Sequence, residues 1–269
     1  MATGNLGPNS VASRPRHIAM AHPALREVAH RPWPLEHHCW ALTMHWEELL
    51  FLHWPVEAAV LQERLPAGVE VETFAGSAWL GVVPFRMART RWRCMPPLPT
   101  AHRFPELNVR TYVRAGARSG VWFFSLDAAS RLAVAGARAS FGLPYFHAAM
   151  SCERQGQAVH YASERRNGSG APLRFAASWS ARGPVSTAAK RSLEHFLVER
   201  YCLFALRRGQ LVCGDIAHAP WRFASADVQI THNDMASPLG CRLEGAPVSV
   251  LATDPVTVAA FWPRAWPVL

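Results

Sequence analysis

Four polar side chains alternate with apolar ones at Glu106, Asn108, Arg110 and Tyr112. Because successive side chains of a β-strand point to opposite faces, an extended chain places all four on one face. A carboxyl, an amide, a guanidinium and a phenol can together bind an anion and exchange a proton. The same pattern is also typical of a strand face in contact with water. The residues alone therefore leave two alternatives open, a solvated face or the wall of a polar cavity.

Four more side chains are candidates, each with a structural alternative. Asp127 ends an apolar segment and precedes a predicted helix, so it is either a helix N-cap or a site residue. Arg138, within that helix, is either a surface residue or an anion clamp. Tyr145 is either a proton donor or a core aromatic with a bonded hydroxyl. Arg165 either faces a cavity or forms a salt bridge at its rim.

No motif in the chain indicates a metal or a cofactor. His37 and His38 precede Cys39, but adjacent residues of an extended chain point in opposite directions and chelate poorly. The sequence contains no His-Glu-x-x-His, no Cys-x-x-Cys, no glycine-rich phosphate loop and no Gly-x-Ser-x-Gly elbow. We therefore expect neither a metal nor a cofactor.

Composition narrows the functional class. Half of the 269 residues are hydrophobic, 17% are charged and eleven are tryptophan, which predicts a large apolar interior and a homo-oligomer. The net charge of +9 comes from scattered arginines without a basic run longer than two residues, which disfavours nucleic-acid binding. The chain has no apolar run long enough for a membrane span and no secretory signal. Its six cysteines form no motif, so a cytoplasmic protein with free thiols is expected.

The elements that position these side chains are mainly strands. Residues 1–35, rich in proline and without an acidic residue before Glu27, are predicted to form a flexible leader. Residues 36–269 are predicted to form a single domain. Apolar alternation and turn residues predict strands at 48–54, 69–74, 77–87, 107–113, 120–126, 145–154, 157–165, 173–182, 201–206, 211–218, 222–231, 248–252 and 256–262. Helices are expected at 56–65, at 128–141 and after a Ser192 cap. The fold class is β-rich α+β.

Several strings in the same order resemble the DUF2071, or YqjF-like, family. They are LHWPV at 52–56, AWLGVVPF at 78–85, FPELNVRTYV at 104–113, GVWFFSLDA at 120–128, LPYF at 143–146 and SLEHF at 192–196, leading to ERY at 199–201. The resemblance covers roughly residues 32–264. It implies an acetoacetate-decarboxylase-like fold, a closed antiparallel β-sheet or barrel around a central cavity, with a few flanking helices. The resemblance also implies that the strand face with Glu106 lines that cavity and is not in contact with solvent.

The resemblance to decarboxylases can be followed residue by residue. Those enzymes hold an acid on one strand and a Tyr-Pro-Lys-Lys string after a helix. The acid falls near Glu106, but the lysine pair falls on Tyr145 and Phe146, which cannot form an imine. Lys190 is the chain's single lysine, and it precedes the Ser192 helix in an expected exposed loop.

These observations predict a pocket for an anionic or carbonyl-bearing small molecule. Arg110, with Arg138 or Arg165, would hold a carboxylate, and Glu106 and Tyr145 would serve as general acid or base. Asn108, Tyr112 and Asp127 complete the expected ligand contacts. The reaction would be a lyase-like or isomerase-like proton transfer without an imine. Two alternatives stay open: a non-catalytic binding protein, and a structural or interaction protein whose own aromatics fill the cavity.

Overall fold

Sixteen strands and three short α-helices make up most of the regular structure in the computed structural model, which describes residues 22–35, 39–166 and 171–267. The strands are β1 Trp40–Glu47, β2 Leu50–Val56, β3 Glu70–Val71, β4 Ala78–Trp92, β5 Phe104–Ala115, β6 Arg118–Ala128, β7 Tyr145–His147, β8 Ala149–Gln155, β9 Ala158–Arg165, β10 Leu173–Ser186, β11 Cys202–Arg207, β12 Gln210–Ala217, β13 Phe223–Asn233, β14 Ser249–Thr253, β15 Val256–Phe261 and β16 Arg264–Ala265. The helices are α1 Ala58–Gln62, α2 Arg131–Phe141 and α3 Leu193–Val198, with 3-10 turns at Pro23–Leu25 and Ser237–Leu239.

The long strand β4 pairs with three other strands of the sheet. It pairs with β1 through its C-terminal half, with β2 through its N-terminal half and with β5 along its middle. The β4–β5 pairing closes the order β5–β6–β11–β12–β15–β1–β4 into a ring. From β2 the sheet continues as a wing through β14, β13, β10, β9 and β8. The described pairings are antiparallel except β6–β11 and β6–β7, so the expected antiparallel sheet contains two parallel contacts.

Two apolar cores follow from this topology. Every strand of the ring contributes to the first core, which includes Phe85, Tyr112 and Val258. The second core lies between the wing and the opposite face of β4 and β5, and includes Leu107 and Phe175. Buried on both faces, β4 and β5 therefore have side chains of alternate residues in different cores.

The caps of the helices agree only partly with the sequence patterns. Ser192 caps α3 through its hydroxyl, as predicted. The cap of α2 is Ser130, whose Oγ accepts from Ala133 N at 3.2 Å, so the alternative of an Asp127 cap is wrong. Helix α2 ends at Gly142, whose φ of +70° is in the left-handed region that favours glycine.

Three elements differ from the expectations. Strand β1 has no predicted counterpart, because no regular alternation distinguishes it within its apolar neighbourhood. The predicted strand at 145–154 is divided, since β7 pairs with β6 while β8 pairs with β9. The expected leader includes residues 22–35, which pack on the ring: His22 and Arg31 are buried, and Arg31 pairs with Asp215. Residues 1–21 lie outside the described residues.

Two observations bear on the chemical setting of the fold. All six cysteines are free thiols. Within the described ranges, no helix has the length and apolar character needed to cross a membrane.

Candidate functional site

The ring encloses a cavity of about 230 Å³. Glu106, Asn108 and Arg110 of β5 line its wall, and all three are buried. The lining also includes Leu132 of α2 and Pro96 of the β4–β5 connection, both of which are exposed. The cavity therefore reaches the surface between α2 and that connection, while Glu106, Asn108 and Arg110 lie at its buried end.

Alternation along β5 determines which side chains enter the cavity. Leu107 and Val109 point into the second core, so the residues between them face the ring interior. Tyr112 shares that interior face but is fully buried and lies outside the cavity lining. Its hydroxyl lies 2.6 Å from His53 Nε2, where it supports the wall instead of contacting a ligand.

Arg110 is a buried cation without an anion. Its Nη2 donates to Leu197 O at 3.2 Å and to the Tyr112 hydroxyl at 3.5 Å, while Nε has no partner. The guanidinium also lies 5.0 Å from the centre of the Phe51 ring. Within the described residues, no carboxylate forms an ion pair with it. Burying an unpaired charge is costly, so this geometry favours an anionic ligand.

His53 fixes the orientation of the groups behind Arg110. Because Tyr112 accepts from Arg110, its hydroxyl hydrogen is available to His53 Nε2. Burial, followed by the charge of Arg110, lowers the pKa of His53 well below its ordinary value, so the imidazole is a neutral acceptor. Gly81 leaves room for this pair, since a Cβ there would lie 3.3 Å from the imidazole. Sequence reasoning missed His53, because no pattern of polar residues around it indicates a role in the site.

Glu106 is a carboxyl group kept in its neutral form. Burial raises its pKa to about 8, against the opposing effect of the Tyr145 hydrogen bond. The Tyr145 hydroxyl donates to Oε1 at 3.1 Å, and Oε2 has no partner. Burial and the neighbouring Glu106 also raise the pKa of Tyr145 well above its usual value, so the phenol stays protonated. Glu106 is therefore a protonated acid at neutral pH with one oxygen available to a ligand.

The cavity concentrates buried polar atoms without hydrogen-bond partners. Six such atoms belong to lining residues of the described chain: Trp46 Nε1, Thr90 Oγ1, Glu106 Oε2, Asn108 Oδ1, Arg110 Nε and His218 Nε2. A buried polar atom left unsatisfied costs about 1–3 kcal/mol, so these positions are suited to a polar ligand or to water. Sequence reasoning missed Trp46, Thr90 and His218, since none of them belongs to a polar run.

Besides Tyr112, three of the predicted ligand contacts lie outside the cavity lining. Asp127 and Arg165 form an ion pair at 3.0 Å, and both are almost fully buried. Leu126 lines the cavity, so Asp127, the next residue of β6, points away from it. Arg138 donates to the Tyr145 carbonyl at 2.7 Å and supports the wall from outside.

Outside the cavity lining, the ring of Phe146 contacts the guanidinium groups of both Arg138 and Arg165. The Arg165 guanidinium lies 4.2 Å from the ring centre and that of Arg138 lies 5.5 Å from it. Burial raises the pKa of Asp127 to about 6, against the opposing charge of Arg165. Asp127 in turn contributes to the raised pKa of Glu106, so this cluster acts on the cavity through its charge.

Neither an amine nor a metal-binding cluster is present in the described cavity. Lys190 is exposed in the turn before α3 and is not part of the lining. In the described ranges, no three His, Cys, Asp or Glu side chains are close enough to hold a metal. His37 and His38 lie outside the described residues.

Comparison with known proteins identifies relatives of the chain. The model of DUF2071, a family of uncharacterized conserved proteins, matches residues 43–257. The uncharacterized protein YqjF of Bacillus subtilis is 40% identical over 232 residues, which are 84% of this chain and 93% of the relative.

Solved structures with a similar fold are more distant in sequence. Acetoacetate decarboxylase from Legionella pneumophila has a TM-score of 0.61 at 16% identity, over 89% of this chain and 93% of that one. An acetoacetate decarboxylase-like enzyme from Sphingomonas wittichii has a TM-score of 0.60 at 16% identity, over 86% and 95%. The enduracididine biosynthesis enzyme MppR, in complex with pyruvate, has a TM-score of 0.59 at 13% identity, over 91% and 95%. The predicted decarboxylase-like fold is confirmed.

Proposed function

The chain belongs to the DUF2071 family and has an acetoacetate-decarboxylase-like fold, and we propose that its cavity binds a small organic anion with a carbonyl group. The carboxylate of this anion lies on Arg110, and its carbonyl oxygen accepts a hydrogen bond from Glu106. The observation that carries the proposal is the buried Arg110 guanidinium, which faces a cavity and has no carboxylate partner among the described residues.

The electrostatics of the cavity support an anion of this kind. Glu106 forms no ion pair with Arg110 in the described structure, and its pKa of about 8 keeps it mainly protonated at pH 7. A neutral carboxyl is also a hydrogen-bond donor, and Oε2 is without a partner. The cavity thus combines a cation with a neutral acid, which suits a carboxylate next to a carbonyl oxygen.

The reaction that fits these groups is a proton transfer of the lyase or isomerase type. In a β-keto acid such as acetoacetate, the bond to the carboxylate carbon breaks, CO2 leaves and the electron pair moves towards the carbonyl oxygen. Glu106 donates its proton to that oxygen to give an enol, and the Tyr145 hydroxyl stabilises the carboxylate of Glu106 that remains. An imine route requires an amine at the carbonyl carbon, and Lys190 is exposed outside the cavity lining. The proposal therefore separates this chain from decarboxylases that use a lysine, although the fold is shared.

A non-catalytic binding protein is the second candidate. Glu106 is the only carboxyl group on the described cavity lining, so a second acid–base residue of that kind is missing from it. Such a cavity can sequester or sense an anion without turnover. The third alternative, a cavity filled by its own aromatics, conflicts with the 230 Å³ of open volume.

Calorimetric titration with pyruvate and acetoacetate tests the proposal. Both probes carry a carboxylate and a ketone, and the solved neighbours include a pyruvate complex and a decarboxylase of acetoacetate. We expect Arg110→Met to weaken binding by about 30-fold or more, because truncating one partner of a buried charge pair costs about 2–5 kcal/mol. Arg110→Lys should bind with intermediate affinity.

Arg182→Met is the matched control, since Arg182 is exposed on the wing and its ion pair among the described residues is with the exposed Asp227. Equal affinity in wild type, Arg110→Met and Arg182→Met would remove Arg110 from the site. NMR of the bound acetoacetate then separates the two candidates. Product formation that is lost in Glu106→Gln supports catalysis, whereas binding without product supports the non-catalytic protein.

A further inference from the structure

Trp46 and His218 form a second polar position in the cavity, apart from Arg110 and Glu106. Both line the cavity, and their ring centres are 6.5 Å apart. Each has one buried nitrogen without a partner, Nε1 in Trp46 and Nε2 in His218. No predicted contact used either residue, because they come from β1 and from the segment after β12.

The two nitrogens have opposite hydrogen-bonding roles. An indole Nε1 can only donate. His218 Nδ1 lies 2.7 Å from the carbonyl oxygen of Ala219, which can only accept, so Nδ1 carries the hydrogen. Nε2 then carries the lone pair of the neutral ring. Burial keeps the ring neutral by lowering the pKa of His218 to about 4, against the opposing effects of the backbone groups of Ala219 and Arg200. The position therefore offers one donor and one acceptor.

Aromatic packing holds both rings in place before a ligand arrives. Trp221 stacks on Trp46 at 5.9 Å and contacts His218 at 5.0 Å. Tyr201 also stacks on His218, with ring centres 4.8 Å apart. Glu199 accepts from both the Tyr201 hydroxyl and the backbone N–H of Trp221, which fixes these two supporting residues. Because both side chains are already held in place, ligand binding here costs little side-chain conformational entropy.

Apolar rings connect this position to the anion position. The Arg110 guanidinium lies 5.0 Å from the Phe51 ring, and Phe51 meets Trp221 edge-on at 5.1 Å. Phe85, opposite Glu106 in the β4–β5 pairing, lies 5.6 Å from Trp46. A ligand that reaches from one position to the other therefore crosses an apolar surface.

We propose that the Trp46–His218 pair binds a hydroxyl group, so that the ligand is a hydroxy carboxylate with an apolar segment between its two polar ends. A hydroxyl satisfies both nitrogens at once, because it accepts from Trp46 and donates to His218. The inference rests on the proposed function, since the carboxylate of the same molecule lies on Arg110. It adds the substrate class, a carboxylate with a distant hydroxyl.

Two series of probes test the inference by calorimetry. One series consists of ω-hydroxy carboxylates with four to eight carbons, and the other of unsubstituted carboxylates of the same lengths. At the best length, we expect the hydroxy compound to bind wild type about tenfold more tightly, the effect of one or two net hydrogen bonds. Trp46→Phe keeps the ring and removes the donor, and it should reduce this preference to about threefold or less.

Trp92→Phe is the matched control, because Trp92 also lines the cavity but has no buried nitrogen left without a partner. Its preference for the hydroxy series should equal that of wild type. Nitrogen-15 NMR of histidine-labelled wild type reads the acceptor directly, even if Trp46→Phe fails to fold. The Nε2 resonance of His218 should move with the hydroxy compound and stay in place with its unsubstituted counterpart.

The possible failures can be told apart. If both series bind wild type equally and the Nε2 resonance does not respond to the hydroxyl, the inference is overturned while the anion position stands. If neither series binds at any length although pyruvate or acetoacetate binds, the inference is overturned and the anion position stands. If none of these compounds binds, the proposed function fails, and the inference fails with it.

Discussion

The free energy of unfolding of Glu106→Gln, relative to that of wild type, should increase as the pH rises. The substitution keeps the shape and the acceptor for Tyr145 but removes the titrating group. In the folded protein the pKa of Glu106 is about 8, whereas an ordinary glutamate titrates at 4.5. Between these two values the unfolded chain releases a proton that the folded chain retains, so wild type loses stability with rising pH.

The size of the effect follows from the pKa difference. Each pKa unit corresponds to about 1.4 kcal/mol, so the full difference between 4.5 and 8 amounts to about 5 kcal/mol. At pH 7 about 3 kcal/mol of this loss should be present. Below pH 4.5 the stability difference between the two proteins should not depend on pH, and above pH 8 it should level off. Asp127, whose pKa is about 6, titrates in both proteins and cancels in the comparison.

Urea unfolding of wild type and Glu106→Gln at pH 5, 6, 7 and 8.5 measures this difference. Tyr145→Phe is an informative companion, since its hydroxyl holds the pKa of Glu106 down and its removal should move the plateau to higher pH. Infrared difference spectra of wild type and Glu106→Gln should show the band of a protonated carboxyl at pH 7. A stability difference that stays constant from pH 5 to 8.5 would refute the buried neutral acid, and with it the proposed acid role.

Three further predictions concern the frame around the cavity. Arg165→Met should destabilise the protein by about 3–5 kcal/mol in urea unfolding, because it leaves Asp127 buried without its partner. The double variant Asp127→Asn, Arg165→Met should recover part of this loss. An equal loss of stability in the single and the double variant would contradict the ion pair. Gly120→Ala should cost about 1–3 kcal/mol or more in the same assay, because a Cβ there would lie 2.8 Å from the carbonyl oxygen of Cys202 across the β6–β11 contact. Gly136→Ala, within α2 at a position where an added Cβ would meet open space, should instead stabilise by about 0.5–1 kcal/mol, and a loss there would show that α2 needs the glycine for another reason.

The sequence by itself determined the local features. Alternation from Leu107 to Val113 predicted a strand with its polar side chains on one face, because the two-residue period is a property of the strand alone. Ser192 was predicted as a cap, since capping depends only on residues three positions apart. The arginine-for-lysine composition limited imine chemistry to Lys190. The decarboxylase-like fold came from strings matched in order along the chain, and the solved neighbours bear it out.

Only the tertiary structure decided which polar groups share a site. Alternation separates two faces of β5, but ring closure through β4 determines that the Glu106 face surrounds a cavity. The sequence leaves Asp127 as a candidate ligand contact, whereas in the folded chain β6 directs it to Arg165. Trp46 and His218 meet from distant parts of the chain, so no local pattern could join them. Burial, which sets the pKa of Glu106, likewise depends on the whole assembled core, because desolvation is a property of the surroundings and not of the residue.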